Sequence, residues 1–324
     1  MDLILTDSKL NDVAFINCDA DIALGEDDNT FELKIRRSEW SALFSFGNAF
    51  YIPGTEYGGY IGEIKTQTSL DTISLLGYTW RGNVSKHIIK PKSNSENLKV
   101  NGELNSVLAQ LIPFFNISTE DTGVTVEYEF EPYINLLDGV EAMLNSVGYK
   151  LKIQFVQGEA GAPGYIECYA VPIVDYSSLI ELSQDSQLDF IFDDVRNGVN
   201  HLICTGQDEN ENNISVDLYV QSDGSVGETQ FYFGVEEIAQ IFEGSSSTVE
   251  ELKTDGIEEL KNLTNKKSFS MDVKELSLEY IDIGDIIGGR DYTTGLSIKK
   301  PIVGKIFKIE NGKETVEFTI EGEE

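Results

Sequence analysis

The chain has 324 residues, 40% of them hydrophobic, which is enough for two or three domains with cores of their own. Its 24 basic and 56 acidic side chains give a formal net charge of −32. This charge disfavours stable binding to nucleic acid phosphates or to anionic lipid, because each such contact needs a cation. The sequence shows neither a secretory signal nor an apolar run of membrane-spanning length, so we expect a soluble chain made in the cytoplasm, without a membrane partner.

The first 92 residues are dominated by short runs typical of β-strands. Residues 31–35 alternate between apolar and polar, residues 60–80 do the same, and Gly- and Pro-containing turns separate such runs. A short helical turn around residues 38–46 interrupts the pattern. We therefore predict a first β-barrel domain over residues 1–92.

Residues 93–178 change to a mixed pattern. Two runs have helical spacing, one from Leu104 that stops at Pro113 and one from Leu137 that ends at Gly148. Residues 151–155 then alternate as a strand, and residues 165–171 are its expected partner across a Gly-rich turn. These patterns predict a small α+β domain over residues 93–178.

The β pattern returns in residues 188–220 and again from residue 268 to the end. Between them, residues 235–242 and 248–263 have helical spacing, with Thr248 and Glu251 as a capping box. The two β segments are each too short to close a core alone. We therefore predict a second β-barrel formed by residues 179–234 and 268–324, opened by a helical insertion at residues 235–267.

A sequence similarity between two segments connects the two predicted barrels. Residues 301–318 read as a hairpin around Asn311 and Gly312, and residues 60–75 repeat its order of residue types. The halves look like divergent copies, although two ordinary hairpins could match by chance. The predicted fold class is mainly β (α+β), with two similar β-barrel domains, a small α+β domain between them and the helical insertion. A tandem β-domain of this kind favours assembly over chemistry.

Catalytic signatures are missing from the sequence. It has no phosphate loop, dinucleotide fingerprint or nucleophile elbow, and its two histidines are far apart. His201 and Cys204 suggest a dyad, but an offset of three along a strand places them on opposite faces. We therefore predict a structural histidine, no catalytic and no cofactor-binding residues, and no enzymatic activity. The three distant cysteines, Cys18, Cys168 and Cys204, predict small buried thiols and not disulfides.

Two acidic segments resemble calcium loops. The segment that begins at Asp19 has Ala23 in a ligand position, Leu24 where the turn needs Gly, and Thr30 in place of the bidentate Glu. The segment of Asp208, Asn210 and Asn212 lacks the following Gly and Glu. Solvated turns are the default interpretation, so we predict no metal site and no cofactor.

Aromatic residues cluster in the first domain. They could form a sugar-stacking platform, but we favour a role as core and interface anchors of a small barrel. The six residues are Trp40, Tyr51, Tyr57, Tyr60, Tyr78 and Trp80.

Several segments together resemble the hub proteins of phage tail baseplates. The similarity is to the baseplate hub of contractile tails and phage-tail-like bacteriocins, and to the N-terminal hub domain of siphophage tail-associated lysins. It extends over nearly the whole chain and is carried by residues 21–25 with 31–33, 55–59, 77–82, 199–204 and 283–291.

This resemblance implies a structural function. In the family, two similar barrels per subunit and three subunits form a pseudo-sixfold ring, a symmetry adaptor between the sixfold tail tube and the threefold spike. It implies a homotrimer in a phage tail or tail-like particle, with the tail tube or distal tail protein, the tape-measure protein and the spike or lysin protein as partners. We expect a stand-alone gene product without an added lysin domain. The alternative is a cell-wall-degrading or carbohydrate-binding tail protein.

Overall fold

A computed structural model of the chain describes residues 2–25, 28–93, 97–177, 181–182, 189–195, 198–207, 212–222, 224–245, 248–264, 266–272, 281–290, 293–295 and 297–320. The chain divides into two compact units. Unit 1 contains Met1–Phe190 and Met271–Glu323, and unit 2 contains Ile191–Ser270. None of the helices in these described ranges has the length and apolarity that a membrane span requires.

Strands dominate both units. In chain order they are β1 (Leu3–Thr6), β2 (Asp12–Ile16), β3 (Asp19–Gly25), β4 (Thr30–Arg36), β5 (Ala49–Tyr51), β6 (Gly58–Thr66), β7 (Thr72–Thr79), β8 (Lys99–Glu103), β9 (Asn116–Ile117), β10 (Thr125–Glu129), β11 (Tyr149–Val156), β12 (Tyr165–Pro172), β13 (Glu181–Leu182), β14 (Asp189–Val195), β15 (His201–Gln207), β16 (Asn213–Val220), β17 (Val226–Gly227), β18 (Ala239–Glu243), β19 (Lys266–Asp272), β20 (Ile286–Arg290), β21 (Ser297–Glu310) and β22 (Lys313–Ile320). The helices are α1 (Trp80–Ser85), α2 (Leu104–Leu111), α3 (Leu136–Asn145) and α4 (Val249–Leu263), with 3₁₀ turns at Arg37–Glu39, Glu159–Gly161 and Gly234–Glu236. The mainly β fold class is confirmed.

An eleven-stranded sheet forms most of unit 1. Its strand order is β13-β20-β21-β3-β4-β7-β6-β5-β1-β2, and β22 pairs with β21. Alternating apolar residues bury one face, so that Ile22, Leu33 and Leu75 are completely removed from solvent. Aromatic contacts add to this core: Tyr57 stacks on Phe307 with ring centroids 4.7 Å apart. The core therefore depends on strands from both ends of the chain.

The α+β part of unit 1 follows the sequence prediction closely. Strand β11 pairs antiparallel with β12, β9 adds to β12, and β8 pairs with β10. Helix α3 begins where the Asn135 side chain accepts a hydrogen bond from the Leu137 N–H, and it is followed by Gly148 at a φ of +75°. Val140 and Met143 on its apolar face are buried. Both helices and the β11–β12 hairpin lie where the sequence predicts them, whereas the Asn135 cap and the β8–β10 pair were not predicted.

The C-terminal strands do not lie where the predicted second barrel would place them. Strand β21 is antiparallel to β3, with register pairs that run from Gly304 with Gly25 to Ile309 with Ala20. The apolar face of β21 thereby completes the core of the sheet that β1–β7 form. Two separate barrels are therefore not confirmed. Sequence alternation identifies a strand, but it does not specify which other strand pairs with it.

The echoed segments do form two similar hairpins within that sheet. β6 pairs with β7 and β21 with β22, and each ladder contains a register shift, between Ile61 and Glu63 in one and between Ile302 and Gly304 in the other. Glu310 pairs with Lys313, so the two-residue turn at 311–312 is confirmed. The origin of both hairpins by duplication remains a prediction.

Unit 2 contains a four-stranded sheet in the order β17-β16-β15-β18, covered by α4. Leu252 and Leu260 of the helix pack with Leu202, Cys204 and Leu218 of the sheet. The Thr248 hydroxyl accepts a hydrogen bond from the Glu251 N–H, as the predicted capping box requires. Strands β14 and β19 pair with each other.

The predicted helix at residues 235–242 is wrong. Gly234–Glu236 is a 3₁₀ turn, and Ala239–Glu243 is the edge strand β18, parallel to β15 from His201 with Ala239 to Thr205 with Glu243. Hydrogen bonding to β15 outweighs the weak helical spacing of a short segment. Among the described residues of the predicted insertion, the α-helix is α4.

Candidate functional site

Unit 1 contains a set of buried and partly buried charged side chains, here called the ion network. Four cations meet four carboxylates in two adjacent clusters. The members are Arg81, Glu56 and Glu141 in one cluster, and Lys150, Lys152, Lys305, Asp282 and Asp285 in the other.

Arg81 is the centre of the first cluster. It follows Trp80 at the start of α1, where the Thr79 hydroxyl caps the helix, and only 1% of the residue is exposed. Its guanidinium bonds to Glu56, in the turn between β5 and β6, and to Glu141 on α3. A further bond, 2.8 Å long, runs from Nη2 to the Leu151 carbonyl on β11, the third partner of this side chain. One side chain thus connects the large sheet to both layers of the α+β part.

The second cluster begins on either side of Leu151. Lys150 lies 2.6 Å from Asp285, and Lys152 bonds to Asp282. Asp282 also lies 3.9 Å from Lys305 on β21, which donates a 2.8 Å bond to the Ile281 carbonyl. These contacts fix the segment before β20 against β11.

Burial and partner charges shift the pKa values of this network in opposite directions. Burial disfavours the charge on Arg81, but Glu56 and Glu141 outweigh it and raise the Arg81 pKa. Burial likewise opposes ionisation of Asp282, yet Lys152, Lys305 and Lys150 hold the pKa of Asp282 below its usual value. Burial lowers the pKa of Lys305, in spite of Asp282.

Two cavities flank the ion network. The smaller, of about 120 Å³, is lined by Glu56, Lys152, Asp282 and Lys305, among others. The larger, of about 430 Å³, lies beside Arg81, Glu141, Lys150 and residues 301–303. The members of the ion network on these walls each have a partner of opposite sign. Asp138, also on the wall of the larger cavity, has no cation within ion-pair distance among the described residues, and burial raises its pKa. The network itself is suited to holding elements together, because a general acid or base needs a group free to exchange a proton with a substrate.

His201 and Cys204 lie on opposite faces of β15, as the sequence predicts. His201 Nδ1 is 2.6 Å from Glu237 Oε1 and Nε2 is 2.9 Å from Asp217 Oδ1, so both ring nitrogens are occupied. Burial raises the pKa of the Cys204 thiol to about 11, which leaves little thiolate near neutral pH. This geometry does not support a dyad. The sequence does not predict that Glu237 and Asp217 are the partners of His201, because they come from other strands and turns.

The acidic segments are only partly described. The carboxylate of Asp19 accepts a hydrogen bond from the Asn311 N–H, and burial raises the pKa of Asp21. Residues 26–27 and 208–211 lie outside the described residues. Within the described part of the chain, no three His, Cys, Asp or Glu side chains come together in a way that could hold a metal ion. The predicted independence of metal remains a prediction.

The aromatic residues of the first domain lie mainly in the core. Tyr51, Tyr57 and Trp80 are buried, and Tyr51 stacks on Phe155 at 3.9 Å. Tyr78 is the exposed member, with 45% of its surface accessible. A platform for sugar rings needs several exposed faces, so this geometry favours the predicted role as anchors. Cys168 is buried as well, and Cys18 is half-buried.

No known family model and no curated protein matches this sequence. Solved structures do match it. A 43 kDa tail protein of prophage MuSo2 from Shewanella oneidensis is 12% identical, with a TM-score of 0.53 over 99% of this chain and 98% of that one. The tail protein from Neisseria meningitidis MC58 is 13% identical, with a TM-score of 0.51 over 98% and 95% of the two chains. Prophage tail protein gp18 from Listeria monocytogenes EGD-e is also 13% identical, with a TM-score of 0.50 over 99% and 94%.

At this level of identity the similarity shows a shared fold. It extends over almost the full length of the compared chains, so it includes the large sheet as well as the smaller elements. The resemblance to phage tail proteins that the sequence predicts is confirmed: the chain has the fold of these tail proteins.

Proposed function

We propose that this chain is a structural component of a phage tail and, more specifically, the baseplate hub. In this role three copies form a ring that joins the tail tube or distal tail protein to a spike or lysin. The observation that carries the proposal is the fold shared with prophage tail proteins over 98–99% of this chain. Because the likeness is not confined to one segment, the proposal assigns an assembly function to the chain as a whole.

The pairing of the charged and titratable groups in the described residues supports a function in assembly and not in catalysis. The ion network consists of mutually paired charges, and His201 has carboxylates at both ring nitrogens. The alternative, a cell-wall-degrading or carbohydrate-binding tail protein, would use the aromatic cluster, in which three of six residues are buried and only Tyr78 is exposed. We therefore assign no catalytic residue, cofactor or metal to the chain.

A pseudo-sixfold ring of three subunits requires two comparable β-domains in each subunit. We assign these roles to the large sheet of unit 1 and to the four-stranded sheet of unit 2, with β20–β22 belonging to the first. The subunit contacts of such a ring are heterologous and close only at the correct rotation.

The charge of the chain fits a channel for polyanions. Three copies carry three times the formal charge of −32. An acidic wall repels DNA and leaves it mobile, whereas a basic wall would retain it through many weak contacts. We propose that much of the negative charge faces the bore and the outer surface, next to the path of the tape-measure protein. The hub would reach this position after synthesis in the host cytoplasm.

Negative-stain electron microscopy of the purified chain tests the proposal. The proposal predicts ring-shaped particles with threefold symmetry, an open centre and six peripheral lobes. Compact particles without an opening, or twofold symmetric dimers, would contradict it. Images of the tail particle with antibody bound to this chain would then show label at the distal end of the tube.

A further inference from the structure

The α+β part of unit 1 carries a basic, aromatic surface that stands out in an acidic protein. Residues 72–95 form the longest stretch of the sequence without Asp or Glu, and its exposed end contains Lys86, Lys90 and Lys92. We define the basic patch as residues 86–92 together with Tyr78, Phe114 and Tyr133.

Contacts between its members show that the patch is one surface. Lys86 Nζ lies 4.0 Å from the centre of the Tyr78 ring, and the His87 and Phe114 rings stack at 4.4 Å. Ile88 forms an isolated antiparallel bridge with Asn135, which brings residues 86–92 next to the segment that carries Tyr133.

Large apolar groups of the patch are open to solvent. Tyr133 is 66% exposed, Ile88 49% and Phe114 42%. Tyr133 also holds a φ of +62°, a left-handed conformation that is uncommon for a bulky residue. Exposed aromatic and apolar side chains of this size are typical anchors of a protein interface, and the neighbouring lysines give this surface its charge.

Charge identifies the occupant. A twofold contact would place the lysines of one patch opposite the same lysines of the other copy, which is repulsive. The rest of the chain is acidic on average, since its net charge is −32, so a contact with a different face favours pairing of these lysines with carboxylates. Contacts between unlike faces generate rings or filaments and not twofold dimers. We propose that the basic patch docks on an acidic face of a second copy of this chain and forms the heterologous contact of the ring. This inference rests on the proposed homotrimer.

A charge reversal with a matched control tests the inference. The patch variant carries Lys86→Glu and Lys90→Glu, and the control carries Lys65→Glu and Lys313→Glu, two exposed lysines on strands β6 and β22 of the large sheet. Both variants change the net charge by the same amount, so the overall electrostatic repulsion between subunits is the same in the patch variant and in the control. Sedimentation velocity over a concentration series, in about 0.15 M salt, measures association while long-range repulsion is largely screened.

We expect the patch variant to need at least about tenfold more protein than the wild type for half-association, and the control to associate like the wild type. If the patch variant forms the same trimer as the wild type, the patch is not the contact, although the proposed trimer stands. If the wild type stays at the mass of one chain at every concentration, both proposals are overturned.

Tyr133→Asn provides a second test that preserves the fold, because Asn tolerates the left-handed conformation while the aromatic anchor is lost. It should weaken association without a change in the melting temperature. Unchanged association of this variant would also count against the patch.

Discussion

Arg81 and Glu56 form an ion pair that is almost completely buried, with 2% and 7% of their side chains exposed. Removal of one partner would leave the other charged in a protein interior, which costs about 3–5 kcal/mol. We therefore predict that Arg81→Met lowers the free energy of unfolding by about that amount, measured by urea denaturation. Arg36→Met is the control, because its pair with Glu39 is 2.9 Å long but largely exposed and should contribute less than about 1 kcal/mol. Equal effects of the two substitutions would contradict this account of the ion network.

The carboxylate of Glu103 should contribute to stability in a way that depends on pH. Burial would raise the pKa of Glu103, but hydrogen bonds from the N–H groups of Ser106 and Thr122, among others, lower it to about 2. A depressed pKa stabilises the fold above the ordinary pKa of Glu, and this stabilisation is lost as the pH falls towards 2. Glu103→Gln should therefore cost about 1–2 kcal/mol at pH 7, as the loss of a helix cap does, and progressively less below pH 4.

Urea denaturation at pH values from 7 to 3 measures this effect. Glu127→Gln, an exposed position on β10, is the control and should change stability by less than about 0.5 kcal/mol. A cost for Glu103→Gln that stays constant over the whole pH range would show that its charge is not responsible.

Gly25 tests the pairing of β3 with β21. A Cβ atom at Gly25 would lie 2.2 Å from the Val303 carbonyl oxygen, and its φ is +132°. Gly47 has a φ of +82° with open space around it, so Gly47→Ala is a control for backbone strain alone, about 1–2 kcal/mol. We predict that Gly25→Ala costs about 1–3 kcal/mol more than Gly47→Ala, because the two strands must move apart. If Gly25→Ala and Gly47→Ala cost the same free energy of unfolding in urea denaturation, β21 does not pair with β3 at Gly25.

The net charge predicts the behaviour of the chain towards DNA. With 56 acidic and 24 basic side chains, it should show no measurable binding to double-stranded DNA at physiological salt in a mobility shift assay. Micromolar binding would overturn the assignment of an acidic channel wall. The same assay at low salt is the more stringent form, because electrostatic contacts are then strongest.

Local sequence signals were sufficient for elements whose ends are determined by neighbouring residues. The cap at Thr248, the end of α3 near Gly148 and the turn at 311–312 each involve residues only a few positions apart. The opposite faces of His201 and Cys204 follow from the same short-range geometry.

Long-range pairing was not predictable from one sequence. The strand Ala239–Glu243 depends on β15, which is some 38 residues away in register, and β21 pairs with β3 from the other end of the chain. The ion network joins residues as distant as Lys152 and Asp282. A lysine in an alternating strand reads as solvent-facing, and only the fold shows that Lys150 is buried.

The central claim is a homotrimeric hub, and the mass of the native oligomer tests it most directly. Sedimentation equilibrium of the wild-type chain in about 0.15 M salt should give 108 kDa, three times the 36.0 kDa of one chain. Because the repulsion between chains of net charge −32 outweighs the attraction at the basic patch, the trimer fraction should rise with added salt at constant protein concentration. A mass of 72 kDa that persists at every salt concentration would contradict the hub.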